Sequence, residues 1–314
     1  MKAPSVSQLK RLMELVGYVI FPDYSDVPSW TNGNEAIHAV LVDQLSTITS
    51  ITNPDKMADD FVQALPEIAR LLHTDALAVM HNDPAVKSMQ EVILCYPVVK
   101  VMVHYRTAHQ LHLQGVPIIP RVITEMAHSA TGIDIHPAAQ IGEHFCIDHG
   151  TGVVIGATSV IGNHVMLYQG VTLGAKNFSY DANGVPIDMP RHPILEDYVT
   201  VYSNTSILGR VRIGHHTIVG GNVWLTHDVP PHSRVLQSRA IEEPFFQDGA
   251  GINLPAGRNH YGAKSFFPLF SRLPLWTSDG GLSCSWFAFA FDSGYCDFLY
   301  LLFLLGIIPY VRRS

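Results

Sequence analysis

Charge is scarce in this chain. Asp, Glu, Lys and Arg make up 15% of its 314 residues, while apolar types reach 47%. So little charge points to large buried or repetitive surfaces and leaves ample material for a core. Basic charge is the scarcer sign: 20 Lys and Arg face 27 Asp and Glu, a formal net charge of −7. That balance offers no electrostatic footprint for a phosphate backbone, and no nucleic-acid partner is expected. Cysteine is rare as well. Cys95, Cys146, Cys284 and Cys296 show no CxxC spacing, which argues against a disulfide scaffold or a zinc ribbon and suits a reducing, cytoplasmic setting. Walker and Rossmann glycine patterns are missing, so no buried nucleotide-phosphate cradle is expected.

Long hydrophobic runs are also in short supply. The opening stretch "MKAPSVSQLKRLMELVGYVIFPDYSD" lacks an uninterrupted apolar core, so no secretory signal is expected. The best candidate for a membrane segment is "FLYLLFLLGIIPYV", the 14 residues from Phe298 to Val311. It falls short of the roughly 20 that a spanning helix needs. Asp292 and Asp297 interrupt any upstream extension, and a membrane partner is not expected.

What is present divides in three. Residues 1–125 read as a helical N-terminal domain. "NEAIHAVLVDQLSTI" follows a Thr-Asn-Gly turn with apolar residues three and four apart. "PDKMADDFVQALPEIARLLH" opens on Asn-Pro with early acidic residues, as a helix N-terminus favours. The segment from His73 reads as two or three helices punctuated by Asp83-Pro84 and Pro97, closing at Gly115.

From Ile135 the period changes. Apolar residues stand at Ile135, Ile141 and Ile147, and then at Ile155, two residues late. Six-residue steps continue through Ile161, Leu167 and Leu173. They resume at Leu195, Val201, Ile207, Ile213, Val219 and Leu225. A sustained hexapeptide period, neither helical nor alternating, predicts a parallel β-helix over residues 126–240, three steps to a coil. The excursion at 174–192 is too long for a corner and must loop out. Loops of that length are usually functional or disordered. Asn183-Gly184 predicts a turn at its tip, and Arg191 and His192 stand at its base.

"DIHPAAQIG", "IDHGTGVVIG", "YQGVTLG", "RHP" and "VPPHS", behind "NDPAVKSMQEVILCYP", resemble in order and spacing the serine acetyltransferases of the hexapeptide-repeat acyltransferase superfamily. The likeness covers roughly residues 30–240 and is greatest to the subgroup with a longer loop before "RHP". It implies an α+β chain: a helical domain, then a left-handed β-helix, an exception to the right-handed crossover rule. It implies trimers with active sites between neighbouring prisms, often paired into hexamers. The implied reaction moves acetyl from acetyl-CoA to the L-serine hydroxyl, the first step of cysteine biosynthesis.

On that resemblance His149 is the general base, since an imidazole titrates near the working pH. Asp134 is expected to orient it, as in a triad. Asp83 and Asp148 are the expected holders of the serine ammonium. Arg191, with His192 beside it, would take the carboxylate through a bidentate fork. Backbone N–H groups near Ala175 and Ser203 are carried over as contacts for the CoA arm. Cys146, inside "FCI", reads as a buried wall residue rather than a nucleophile. Homoserine is an alternative acceptor.

A rival reading starts from the 17 histidines. Carbonic-anhydrase-like β-helix proteins bind zinc through histidines, and His144, His149, His164, His215 and His216 are candidates. Their spacing is irregular, and adjacent His215 and His216 would point to opposite sides of a strand, so no metal is expected. Residues 241–314 read as a tail. "FFQDGAGI" resembles the terminal peptide by which relatives bind O-acetylserine sulfhydrylase. Ile252 is internal here and carries no free carboxylate, which puts that partnership in doubt. The rest of the tail could be a membrane anchor, a partner-binding segment or sequence not selected to fold. Its abrupt, aperiodic composition favours the last.

Overall fold

The computed structural model of the chain describes residues 3–24, 32–177, 180–181, 183–185, 187 and 189–238. The expectations about Ile252, Cys284, Cys296 and the tail lie outside the described residues.

Helices come first: α1 (Val6–Ile20), α2 (Gly33–Leu45), α3 (Pro54–Asn82), α4 (Met89–Cys95), α5 (Pro97–Leu113) and α6 (Ile119–Thr131). Short polar residues set their starts by accepting from orphan N–H groups. Ser5 accepts from Gln8 N, Asn53 from Lys56 N and Ser88 from Glu91 N. Pro54 and Pro97 occupy first-turn positions, where a missing N–H costs nothing. The segments on either side of His73 join into one helix, α3, of 29 residues. The absence of a break at His73-Thr74 allows this. Pro66 is also accommodated within the helix. α6 carries residues from both sides of position 125 and ends at Gly132 in the left-handed conformation (φ 72°).

Among the described residues fourteen strands follow, each two or three residues long, stacked as three parallel sheets, the faces of a prism. The first face holds β1 (Asp134–Ile135), β4 (Val154–Ile155), β7 (Thr172–Gly174), β10 (Ser206–Leu208) and β13 (Trp224–Leu225). The second holds β2 (Gln140–Ile141), β5 (Val160–Ile161), β8 (Ile194–Leu195) and β11 (Arg212–Ile213). The third holds β3 (Cys146–Asp148), β6 (Met166–Tyr168), β9 (Thr200–Val201), β12 (Ile218–Val219) and β14 (Arg234–Val235). Register puts like on like: Ile135, Ile155, Leu173, Ile207 and Leu225 form one column. Every apolar residue of the six-residue series is buried. The solenoid is thus a direct consequence of the period: each step turns one apolar side chain inward, and each coil repeats the last.

A solenoid leaves unpaired backbone groups on its first coil, and buried polar groups must find partners. The helices supply them. Arg106 on α5 donates to Ile141 O at 3.3 Å and Gly142 O at 2.7 Å. Tyr105 Oη donates to Ala139 O at 2.6 Å, and His109 Nδ1 donates to Pro137 O at 2.7 Å. On α3, Thr74 Oγ1 accepts from His144 N and Asp75 Oδ1 from Phe145 N. Asp75 and Arg106 pair with each other in two hydrogen bonds of 2.7 and 2.9 Å, both side chains 4% exposed. Burial pushes the Asp75 carboxyl upward, against the guanidinium and the Phe145 N–H that favour its charge.

Removing one partner of a buried pair strands the other charge. Arg106→Ala is therefore expected to destabilise the chain by about 3–5 kcal/mol. Urea unfolding read by circular dichroism checks this, and a change under about 1 kcal/mol would show that the joint contributes little.

Candidate active site

Two of the prism's edges carry His149, Asp148, Asp134, Arg191 and His192. The edge where the third face turns into the first holds His149. Steps along this edge are six residues long except the first. Ile147 and Ile155 are eight apart because His149-Gly150-Thr151-Gly152 carries two extra residues. His149 adopts φ 56°, Gly150 87° and Gly152 78°, so the corner turns through a run of left-handed conformations. Gly150 packs on Ile133, where an added Cβ would come within 2.4 Å of Cδ1. The imidazole is lifted outward, its side chain 73% exposed, with Nε2 at 4.0 Å from Asp148 Oδ1.

The end of α3 reaches the same place. Asp83 is the C-cap of α3 and begins the Asp-Pro turn. Its Oδ1 accepts from Ala85 N at 2.8 Å and its Oδ2 from Tyr96 Oη at 2.5 Å. The Tyr96 hydrogen bond, helped by Ala85 N–H and by the charge of His149, holds the Asp83 carboxyl below the usual range. In return the Asp83 bond raises the Tyr96 hydroxyl to about 12. Beneath Asp148 in the third face sits Tyr168, stacked on Tyr202 at 4.8 Å. Two carboxylates and an imidazole thus meet at one corner. Tyr96 was missed in the sequence as a site residue, though it stands in "NDPAVKSMQEVILCYP", the same motif that carries Asp83. Cys146 is buried and its thiol is pushed up to about 12, first by that burial, so it is a wall residue and not a thiolate.

Asp134 lies on this same edge, at the start of β1. Its carboxylate is turned toward α6, with Oδ1 at 3.7 Å from Arg121 Nη1. Glu125 and His128 bring ligand atoms within 4.8 Å of it. No hydrogen bond joins Asp134 to His149 among the described residues. Ser203 follows β9 on this edge too, its carbonyl accepting from Asn222 N.

Arg191 and His192 occupy a different edge, where the first face turns into the second. They stand at the return of the 174–192 excursion. Thr158 gathers them: its Oγ1 accepts from Arg191 N at 2.9 Å and from His192 N at 3.1 Å. Thr158 N donates to His192 Nδ1 at 3.1 Å, which assigns the neutral ring's proton to Nε2. Arg210 clamps the corner by donating to Thr158 O and His192 O. The ring lies flat against Gly156, where any Cβ would fall 2.0 Å from His192 Cδ2. Burial, then the nearby Arg191 charge, lowers the His192 pKa to about 4, so its ring is neutral at working pH. Ala175, one residue beyond β7, is on this edge as well. The first face therefore separates Asp83, Asp148 and His149 from Arg191 and His192. Thr158 and Arg210 carried no sequence signal, because their roles are visible only once coils stack.

Burial lowers His104, His109 and His136 as it lowers His192. In the unfolded chain each takes up a proton near its ordinary value of about 6.5. Folded, His192 does so only near 4. Between those values the unfolded state binds more protons, so stability falls as pH drops through that window. Urea midpoints taken from pH 7 to pH 4.5 are expected to decline steadily. His192→Gln should flatten part of that slope, and an unchanged slope would contradict the buried neutral imidazole.

No protein-family model matches the chain. It is similar to the plasmid serine acetyltransferase of Synechococcus elongatus, at 47% identity over 219 residues, 69% of this chain. The match covers just under two thirds, 66%, of that relative's own length. A serine acetyltransferase of Helicobacter pylori is 38% identical over 162 residues, 52% of this chain and 90% of its own. Among solved structures, serine acetyltransferase isoform 3 from Entamoeba histolytica, in complex with cysteine, superposes with a TM-score of 0.67. It is 32% identical and covers 78% of this chain and 86% of that one.

Proposed function

Since the chain belongs to the serine acetyltransferase family, we propose that it transfers acetyl from acetyl-CoA to the hydroxyl of L-serine, giving O-acetyl-L-serine and CoA. The observation that carries this is the corner where Asp83, Asp148 and His149 converge. A free amino acid offers an ammonium, a carboxylate and a hydroxyl. Asp83, kept ionised by Tyr96, and Asp148 suit the ammonium. His149 beside them takes the hydroxyl proton as the serine oxygen attacks the thioester carbonyl. The tetrahedral adduct then collapses and the C–S bond breaks. The imidazolium returns its proton to the departing thiolate. Attack is direct, with no acyl-enzyme, in keeping with the inert Cys146 thiol. Asp134, on the same edge, stabilises the imidazolium once it turns from Arg121 toward His149.

The carboxylate needs donors, and these stand on the other edge. Arg191 supplies charge and a fork, and neutral His192 supplies Nε2–H. One prism cannot close both edges on one small molecule. Two copies can, when the third-to-first edge of one meets the first-to-second edge of the next, and a ring of three satisfies every edge. The first face then lines the interface, which accounts for the exposed Val154 and for Trp224, 72% exposed, on its outer surface. Ala175 and Ser203, one on each edge, flank the same crevice and suit the amide-rich CoA arm. We place the reaction in the cytoplasm, in keeping with the free thiols of Cys95 and Cys146. No helix among the described residues is long and apolar enough to cross a membrane.

A thiol-release assay with acetyl-CoA tests the reading. Serine is expected to be acetylated well ahead of homoserine. His149→Asn, which tolerates the left-handed corner, should lower kcat by roughly 10²–10⁴-fold while CoA still binds. Near-normal turnover would remove His149 from the base role, and absence of acetyl transfer to serine by the unaltered chain would reject the function. Sedimentation should show a trimer or a multiple of three; a fully active monomer would refute the shared site.

A further inference from the structure

The prism's third edge, where the second face turns into the third, carries none of the acetyl-transfer residues. It carries a column of rings. His144, His164, Tyr198, His216 and His232 hold equivalent corner positions in successive coils, with φ between 55° and 60°. Coils repeat at about 4.8 Å, and the rings follow that spacing. Centroids are 4.3 Å apart for His144 and His164, 4.6 Å for His164 and Tyr198, 4.7 Å for Tyr198 and His216, and 5.1 Å for His216 and His232.

At the lower end a further imidazole joins the column. On a strand, adjacent His215 and His216 would point to opposite sides. Both instead lie in the turn between β11 and β12, and the left-handed φ of His216 brings their rings to one side. Their Nδ1 atoms are 3.1 Å apart. That contact is a hydrogen bond between the rings; two nitrogens bound to one tetrahedral zinc at 2.0–2.1 Å would be about 3.3 Å apart, so an ion can replace the shared proton with little movement of either ring. The backbone N–H of His232, one coil on, donates to the backbone carbonyl of His215 at 2.9 Å. One nitrogen from each of the three rings lies within 4.8 Å of the others.

We propose that His215, His216 and His232 form a binding site for a divalent transition-metal ion, zinc above all. Three imidazoles with no carboxylate ligand select zinc, copper or nickel and discriminate against magnesium and calcium. Three protein ligands leave a fourth position for water. Glu196 stands alongside, its Oε2 accepting from His215 N at 3.0 Å, and Arg212 holds its other oxygen at 2.8 Å. His215 is edge-on to both other rings, at 85° and 87°. His216 and His232 are nearly parallel, so coordination requires one exposed ring to turn about χ2, a soft torsion. The ion would join the last two coils among the described residues. The site is independent of the acetyl-transfer reading.

The test is titration of the full chain, free of any histidine tag, with zinc alone, followed by calorimetry. Binding of about one ion per chain at micromolar affinity or tighter is expected. His216→Asn and His232→Asn keep the left-handed corner and should each weaken binding at least tenfold. His128→Asn, in the separate cluster with Glu125 and Asp134, should leave it unchanged. Cobalt in place of zinc should give visible absorption that both corner variants lose. Zinc should raise the Tm of the unaltered chain and not of the two variants, and acetyl transfer should be the same in all three. Absence of zinc binding, or binding undiminished in His216→Asn and His232→Asn, would overturn the proposal.

Discussion

The Asp75–Arg106 pair is the joint on which the rest of the structure depends. It ties α3 to α5, and both to the first coil of the prism, by satisfying Ile141 O, Gly142 O and Phe145 N at once. A solenoid's first coil has no coil before it to complete its hydrogen bonds, so its cap must be polar and fully matched. The same clasp sets the reach of α3. Asp83 lies eight residues beyond Asp75, roughly 12 Å along the helix. With Asp75 fixed against Phe145, the helix end falls beside Asp148 and His149, three and four residues along from Phe145. A structural ion pair thereby positions a residue of the proposed serine site, and neither element could place that carboxylate alone.

The prism contributes rigidity through repetition, and its chemistry sits where repetition fails. Thirteen apolar positions obey the six-residue series or resume it. The two departures are the eight-residue step at 147–155 and the excursion at 174–192. The first lifts His149 out of a wall that is otherwise flush. The second returns Arg191 and His192 to an edge where Thr158 and Arg210 hold them. Extra residues cannot be absorbed by a close-packed coil, so they project outward, where a substrate can reach them.

On two of the three edges each coil turns its corner through at least one residue with a left-handed backbone, and the identity of that residue varies from coil to coil. On one edge that residue is His149, beside carboxylates. On another, imidazoles and a tyrosine stack into a column that ends in His215, His216 and His232. Neutral His192, by contrast, is held by burial and by Thr158 within its corner. The same residue type has three different surroundings, and its chemistry follows the surroundings.

Periodicity alone identified the parallel solenoid, its inward residues and both interruptions, since a six-residue step admits few other packings. The motif order then singled out His149, Asp134, Asp83, Asp148, Arg191 and His192. Linear order did not say which of these share an edge, because an edge collects residues about a coil apart and the interruptions shift the count. Only the stacked structure separates Arg191 and His192 from His149 by a whole face, turns Asp134 toward Arg121, recruits Tyr96 to Asp83, and brings His215 and His216 to one side of a turn. Those outcomes depend on corner dihedrals and on contacts between coils, which exist only once the chain has wound upon itself.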